Sequence, residues 1–111
     1  KAIKIFLNKK PGNLVSGTDA KKNPYFNQVM FKNNRLKIVN KPKKRIVRRQ
    51  DAPKIYDLNA SIYIWNKKNL LTSKRLINEK TIFYKMPFTS SIDIDNKLDF
   101  MMVNYILKQS T

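Results

Sequence analysis

Between Ser91 and Lys108 the hydrophobic period of the chain changes from two residues to about 3.6 within a few positions. Ile92-Asp93-Ile94-Asp95 alternates apolar and acidic residues. Along a strand, both isoleucines would point one way and both aspartates the other. From Asn96 to Lys108, Leu98, Met101, Met102, Tyr105 and Ile106 share one helical face, which Phe100, Val103 and Leu107 widen. A strand running into an amphipathic helix is the signature of an α/β protein. Asp95 stands at the expected N-cap, with Asp99 in the first turn. The same alternation sets Asp93 and Asp95 together at the carboxyl end of a strand. Two hard oxygen donors there suit Mg²⁺, whose shell is completed by water and substrate phosphate. Taken alone, Asp-x-Asp at such a junction is more often a cap and a solvated acid.

The remaining elements follow from period and punctuation. Residues 1–8 read as helix or helix end, and Lys9 to Asn13 as a turn around Pro11-Gly12. Leu14 to Thr18 reads as a short buried strand. Tyr25 to Phe31 alternates as a strand, Asn33-Asn34 turns a hairpin, and Arg35 to Val39 returns. Ala60 to Trp65 is the strongest strand pattern. Asn66 can cap a short helix from Lys67 to about Ser73, and Thr81 to Met86 is a further strand. Strands alternating with helices around an inserted hairpin predict a mainly parallel sheet, with ligands beyond the carboxyl ends of its strands.

Composition removes whole classes of chemistry. The 111 residues amount to one domain and include no cysteine and no histidine. Disulfide frameworks, thiolate metal sites, imidazole catalysis and the usual zinc sites are therefore excluded. No apolar run approaches membrane-span length and there is no signal-peptide pattern, so the expected location is cytoplasmic. The chain begins at Lys1 rather than Met, in a helical pattern already under way, which leads to the expectation of a segment from a longer protein. A formal charge of +17, from 24 Lys+Arg against 7 Asp+Glu, points to a polyanionic partner such as a nucleotide, an acidic sugar or nucleic acid. The chain is also rich in Lys, Asn and Ile together, a compositional bias that would raise the charge without any partner.

Several blocks then occur in a meaningful order: Lys-Asn-Pro-Tyr-Phe-Asn at 22–27, Arg-Arg-Gln-Asp-Ala-Pro at 48–53, Tyr56, Asn59-Ala60-Ser61-Ile62-Tyr63-Ile64, Ser91-Ile92-Asp93-Ile94-Asp95, and Asp99-Phe100. Together they resemble the C-terminal half of the acylneuraminate cytidylyltransferases, the CMP-sialic acid synthetases and their legionaminic and pseudaminic acid relatives. The resemblance implies residues 1–111 as the C-terminal portion of one nucleotide-diphospho-sugar transferase domain, Rossmann-like, with a dimerising hairpin excursion over 25–53. It implies transfer of CMP from CTP to an acidic nine-carbon sugar, with release of pyrophosphate, Mg²⁺ as cofactor and a homodimer as the working assembly. Residue by residue, Asp93 and Asp95 match the metal pair, and Asp95 is also a candidate acceptor for the sugar hydroxyl proton. Arg49 matches the residue that pairs with the sugar carboxylate, with Gln50 beside it, and Asn59 matches a substrate-contacting asparagine.

The chain also departs from that family. Ala60 stands where the family usually has Gly, a substitution that would crowd a close ligand or resist a positive φ. Phe26 replaces a basic sugar-binding residue of some sialic acid synthetases. With two glycines, Gly12 and Gly17, in other contexts, no phosphate-cradling loop can be built. The isolated chain is therefore expected to be inactive. Two other classes stay open: a non-catalytic interaction module, and a basic nucleic-acid binder using Lys43, Lys44, Arg45, Arg48 and Arg49. No aromatic platform accompanies that basic run, so nucleic acid is the less expected partner.

Overall fold

A computed structural model of the chain describes residues 1–41 and 48–110, without the side chain of Arg49. Lys43, Lys44 and Arg45 of the basic run lie outside the described residues. Two compact units divide the chain: Lys1–Thr18 with Asp57–Thr111, and Asp19–Tyr56.

The first unit is built on β1 (Asn13–Asp19), the central strand of a three-stranded sheet in the order β4-β1-β5. It is preceded by α1 (Ala2–Lys9). That helix ends at Lys10, which takes a left-handed conformation (φ 48°) and donates its N–H to the Phe6 carbonyl at 2.9 Å. Pro11, lacking an N–H, then prevents continuation. Asn13 to Thr18 are all buried, as expected of a strand covered on both faces. Leu14 and Val15, with Ala2, are the buried apolar residues among those described.

β5 (Thr81–Lys85) pairs parallel to β1, in a register from Asn13 opposite Thr81 to Gly17 opposite Lys85. β4 (Tyr56–Trp65) lies on the other side of β1. Gly12 accepts from the Asn66 N–H at one end, while Gly17 abuts the Asp57 carbonyl at the other, so β4 runs against β1. The sheet is therefore mixed rather than mainly parallel. Element order alone could not reveal this, because an excursion such as 19–56 can bring the chain back in either direction. Gly17 is required by close packing: a Cβ there would sit 2.5 Å from the Asp57 carbonyl oxygen and 2.6 Å from the Phe83 ring.

Asn66 caps α2 (Lys67–Thr72) by accepting the Asn69 N–H at 2.9 Å, as the sequence predicts. The last helix, α3 (Lys97–Gln109), is capped by Asn96, not Asp95: Asn96 accepts the Asp99 N–H at 2.8 Å. Residues 92–95 form no strand. A 3-10 turn at Phe88–Ser90 separates them from β5, and among the described residues no neighbouring ladder takes them up. Alternation alone does not make a strand when its backbone groups lack a partner. The expected stripe on α3 is also left open, with Leu98, Met101 and Tyr105 each more than half exposed.

The second unit holds the hairpin of β2 (Val29–Lys32) and β3 (Arg35–Ile38). Asn33 and Asn34 both have positive φ, 55° and 61°, the conformation that a two-residue hairpin turn needs and asparagine tolerates. Tyr25 to Asn27 do not join the strand. The Asn23 carbonyl accepts from Phe26, Asn27 and Gln28, and its side chain accepts from the Tyr25 N–H, winding this stretch into a turn. Asn23 Nδ2 also donates to the Pro53 carbonyl at 2.8 Å, which ties two of the sequence blocks together across 30 residues.

Candidate functional site

The most organised polar cluster lies toward the carboxyl end of β5, and Asn59 is its centre. Asn59 is the one buried residue of β4, and it lies within the strand rather than in a loop before it. Its Oδ1 accepts from Ser16 Oγ at 2.6 Å and from the Ser61 N–H at 3.2 Å. Its Nδ2 donates to Ser91 Oγ at 2.9 Å and to Met86 Sδ at 3.4 Å. Two lone pairs and two N–H groups are all an asparagine side chain offers, so these bonds fill it.

The backbone around Asn59 is unusual. Ala60 has φ 54°, the left-handed region, inside a strand. Beyond it the inward positions shift: Asn59 is buried, and the next covered residues are Ile62 and Ile64, rather than Ser61 and Tyr63. One extra residue with left-handed geometry is what a β-bulge inserts. The Ile62 N–H donates to Ser16 Oγ at 2.9 Å instead of to a backbone carbonyl. A single serine hydroxyl thus repairs the ladder and orients Asn59. The Gly-to-Ala departure falls on this strained residue, where a Cβ costs about 1–2 kcal/mol.

Ser91 extends the cluster. Its Oγ accepts from Asn59 and donates to the Pro87 carbonyl at 2.9 Å, while the Met86 N–H donates to the Gly17 carbonyl at 2.7 Å. The chain leaving β5 is thereby held against β1 and β4. Asp93 and Asp95 follow, both exposed. The Asp95 N–H is accepted by Asp99 Oδ2 at 3.1 Å. Neither the Asp93 nor the Asp95 carboxylate has a hydrogen-bond or ion-pair partner among the described residues. As two available hard oxygens they fit Mg²⁺ in chemical type, with water and phosphate completing its shell. No group of three or more acidic side chains gathers among the described residues, so the chain offers no all-protein cage.

Arg49 and Gln50 lie in the other unit, in a 3-10 turn over Arg49–Asp51. Arg48 Nε meets Asp51 Oδ2 at 3.2 Å and closes that turn. Gln50 is exposed, and the Arg49 side chain lies outside what is described. An open cavity of about 720 Å³ lies at the amino end of β1 and β5, lined by Lys9, Lys10, Lys68 and Lys80 with Glu79. It belongs to the opposite end of the sheet from Ser91. Sequence reasoning passed over Ser16 and named Ser91 only as the first residue of the 91–95 block, with no role of its own. No local pattern reveals the bond that either makes, since each gains its role from a partner more than 30 residues away.

No protein-family model matches the chain. Over 109 residues, 98% of this chain and 46% of the relative, it is 33% identical to post-translational flagellin modification protein B of Campylobacter coli. Over 94 residues, 85% of this chain and 39% of the relative, it is 38% identical to the CMP-N,N'-diacetyllegionaminic acid synthase of Campylobacter jejuni. An N-acylneuraminate cytidylyltransferase of Streptococcus agalactiae is 30% identical over 103 residues, 92% of this chain and 24% of the relative. The chain spans less than half the length of these curated relatives.

Proposed function

From its homology, over most of its length, to proteins named CMP-N,N'-diacetyllegionaminic acid synthase and N-acylneuraminate cytidylyltransferase, we propose that this α/β chain is the C-terminal portion of a nucleotidyltransferase. The reaction is transfer of CMP from CTP to a sialic-type acid, with release of pyrophosphate, and use of CTP implies a cytoplasmic location. The observation that carries this reading is the 38% identity to the synthase over 85% of the chain. The exposed Asp93 and Asp95 carboxylates, without a bond among the described residues and on the segment that follows β5 in the chain, support it.

In this reading Asp93 and Asp95 hold Mg²⁺, which when bound neutralises charge developing on phosphoryl oxygens. Asp95 also accepts the proton of the attacking sugar hydroxyl. Arg49 pairs with the sugar carboxylate through its planar guanidinium fork, and Gln50 orients the same group. Asn59 belongs to the sugar side of the site as well.

The hairpin supplies the assembly. Val29 pairs with Ile38 and Phe31 with Leu36, so one face is wholly apolar, while Lys32, Arg35 and Lys37 lie with Met30 on the other. All four apolar residues are exposed, and an exposed two-stranded ribbon is marginal in water. A two-fold dimer that buries this face is the proposed arrangement.

The decisive experiment is a chimera in which this chain replaces its matched counterpart in the Campylobacter jejuni relative. With CTP, Mg²⁺ and diacetyllegionaminic acid it should form the CMP-sugar, detected by mass spectrometry. The isolated chain should not. A folded chimera that leaves CTP unconsumed would overturn the reading.

A further inference from the structure

Asp93 lies on a stretch with no strand or helix of its own, yet both ends of that stretch are tied down. Upstream, Ser91 Oγ accepts from the buried Asn59 amide. Downstream, the Asp95 N–H is held by Asp99, and Asn96 caps α3. From Ser91 to Asp93 the backbone can span at most about 7 Å, so fixing Ser91 confines Asp93.

The upstream tie is built at a cost, which argues that it does more than fill space. Ala60 adopts a left-handed conformation in mid-strand, and such non-glycine strain persists where the surroundings over-determine it. Here they do: Ser16, 1% exposed, accepts the Ile62 N–H and donates to Asn59 Oδ1, so the bulge keeps Asn59 turned inward with its amide toward Ser91. Four hydrogen bonds within the chain, to Ser16, Ser61, Ser91 and Met86, hold the Asn59 side chain in this orientation.

We infer that Asn59 is a positioning residue: through Ser91, and braced by Ser16, it fixes the segment that presents the Asp93 and Asp95 carboxylates. This inference rests on the reading of those aspartates as a divalent-cation site. Its physical basis is entropic. A preheld segment does not have to be ordered when the cation binds, whereas a released one does. Asn59 therefore acts on the cation without touching it, as outer-shell residues do.

The test is a Mn²⁺ titration of the full chain, isotopically labelled for NMR. The readout is the Mn²⁺ concentration that halves the Asp93 and Asp95 amide signals. Ser91→Ala should raise that concentration about tenfold, the lower end of the range for outer-shell changes. Ser91→Thr, which keeps the hydroxyl, should restore it, and the thermal midpoint of each folded variant separates lost position from lost fold. An unchanged concentration in folded Ser91→Ala, while Asp93→Asn and Asp95→Asn abolish the local broadening, would overturn the positioning role alone. If the aspartate variants broaden like the parent chain, the cation reading fails, and this inference with it.

Discussion

Ser16 Oγ donates a 2.6 Å hydrogen bond to Asn59 Oδ1 between two buried side chains 43 residues apart. The bond joins the central strand to its antiparallel neighbour at the one place where that neighbour bulges. The same hydroxyl accepts from the Ile62 N–H, so it stands in for a missing carbonyl of the ladder. Both partners are polar, yet the described side-chain polar atoms in the interior are all satisfied.

Removing the hydroxyl takes one of two donors from the buried Asn59 Oδ1 and leaves the part-buried Ile62 N–H without its partner. Ser16→Ala should cost about 1–3 kcal/mol. Urea unfolding of the two proteins checks this. A midpoint equal to that of the parent would show that water replaces the hydroxyl freely.

Ala60 should be improvable. Ala60→Gly removes a left-handed penalty of about 1–2 kcal/mol but returns about 0.5–1 kcal/mol through the greater freedom of the unfolded glycine. A net gain of a few tenths to about 1 kcal/mol is expected, read as a higher thermal midpoint. A clear fall would be incompatible with the positive φ at this residue.

Asp93→Asn and Asp95→Asn, placed one at a time in the chimeric synthase, should each lower turnover at least about a hundredfold, the scale of losing a principal electrostatic stabiliser. Protein stability should barely move, because both side chains are exposed and make no bond that the fold needs. Turnover at limiting Mg²⁺ distinguishes the two effects. Near-parental rates in either variant would remove that aspartate from the site.

On the hairpin, Phe31 and Ile38 lie on the same apolar face, paired with Leu36 and Val29. Replacing both by Asp should convert a dimer to monomers in sedimentation velocity at micromolar concentration. If the unaltered protein sediments as a monomer, the face has some other purpose. Because Phe31 is 75% exposed, the substitution should leave the unit itself folded.

Much of the local architecture was legible beforehand. The Asn33-Asn34 turn, the Asn66 cap and the stop at Lys10-Pro11 depend on φ preferences and on hydrogen bonds reaching at most four residues, so composition at those positions suffices. The order of the sequence blocks likewise carried the kinship that the comparisons bear out. Strand direction, the bulge at Ala60 and the role of Asn59 depended instead on what each segment met across the fold. Ile92 to Asp95 has the alternation of a strand but finds no ladder among the described residues to complete its backbone bonds. Asn59 resembles a loop asparagine until Ser16 and Ser91 arrive from 43 and 32 residues away and bond both ends of its side-chain amide. Propensity acts on the residue and its neighbours, whereas pairing and burial are set by distant partners whose identity is decided only when the chain packs.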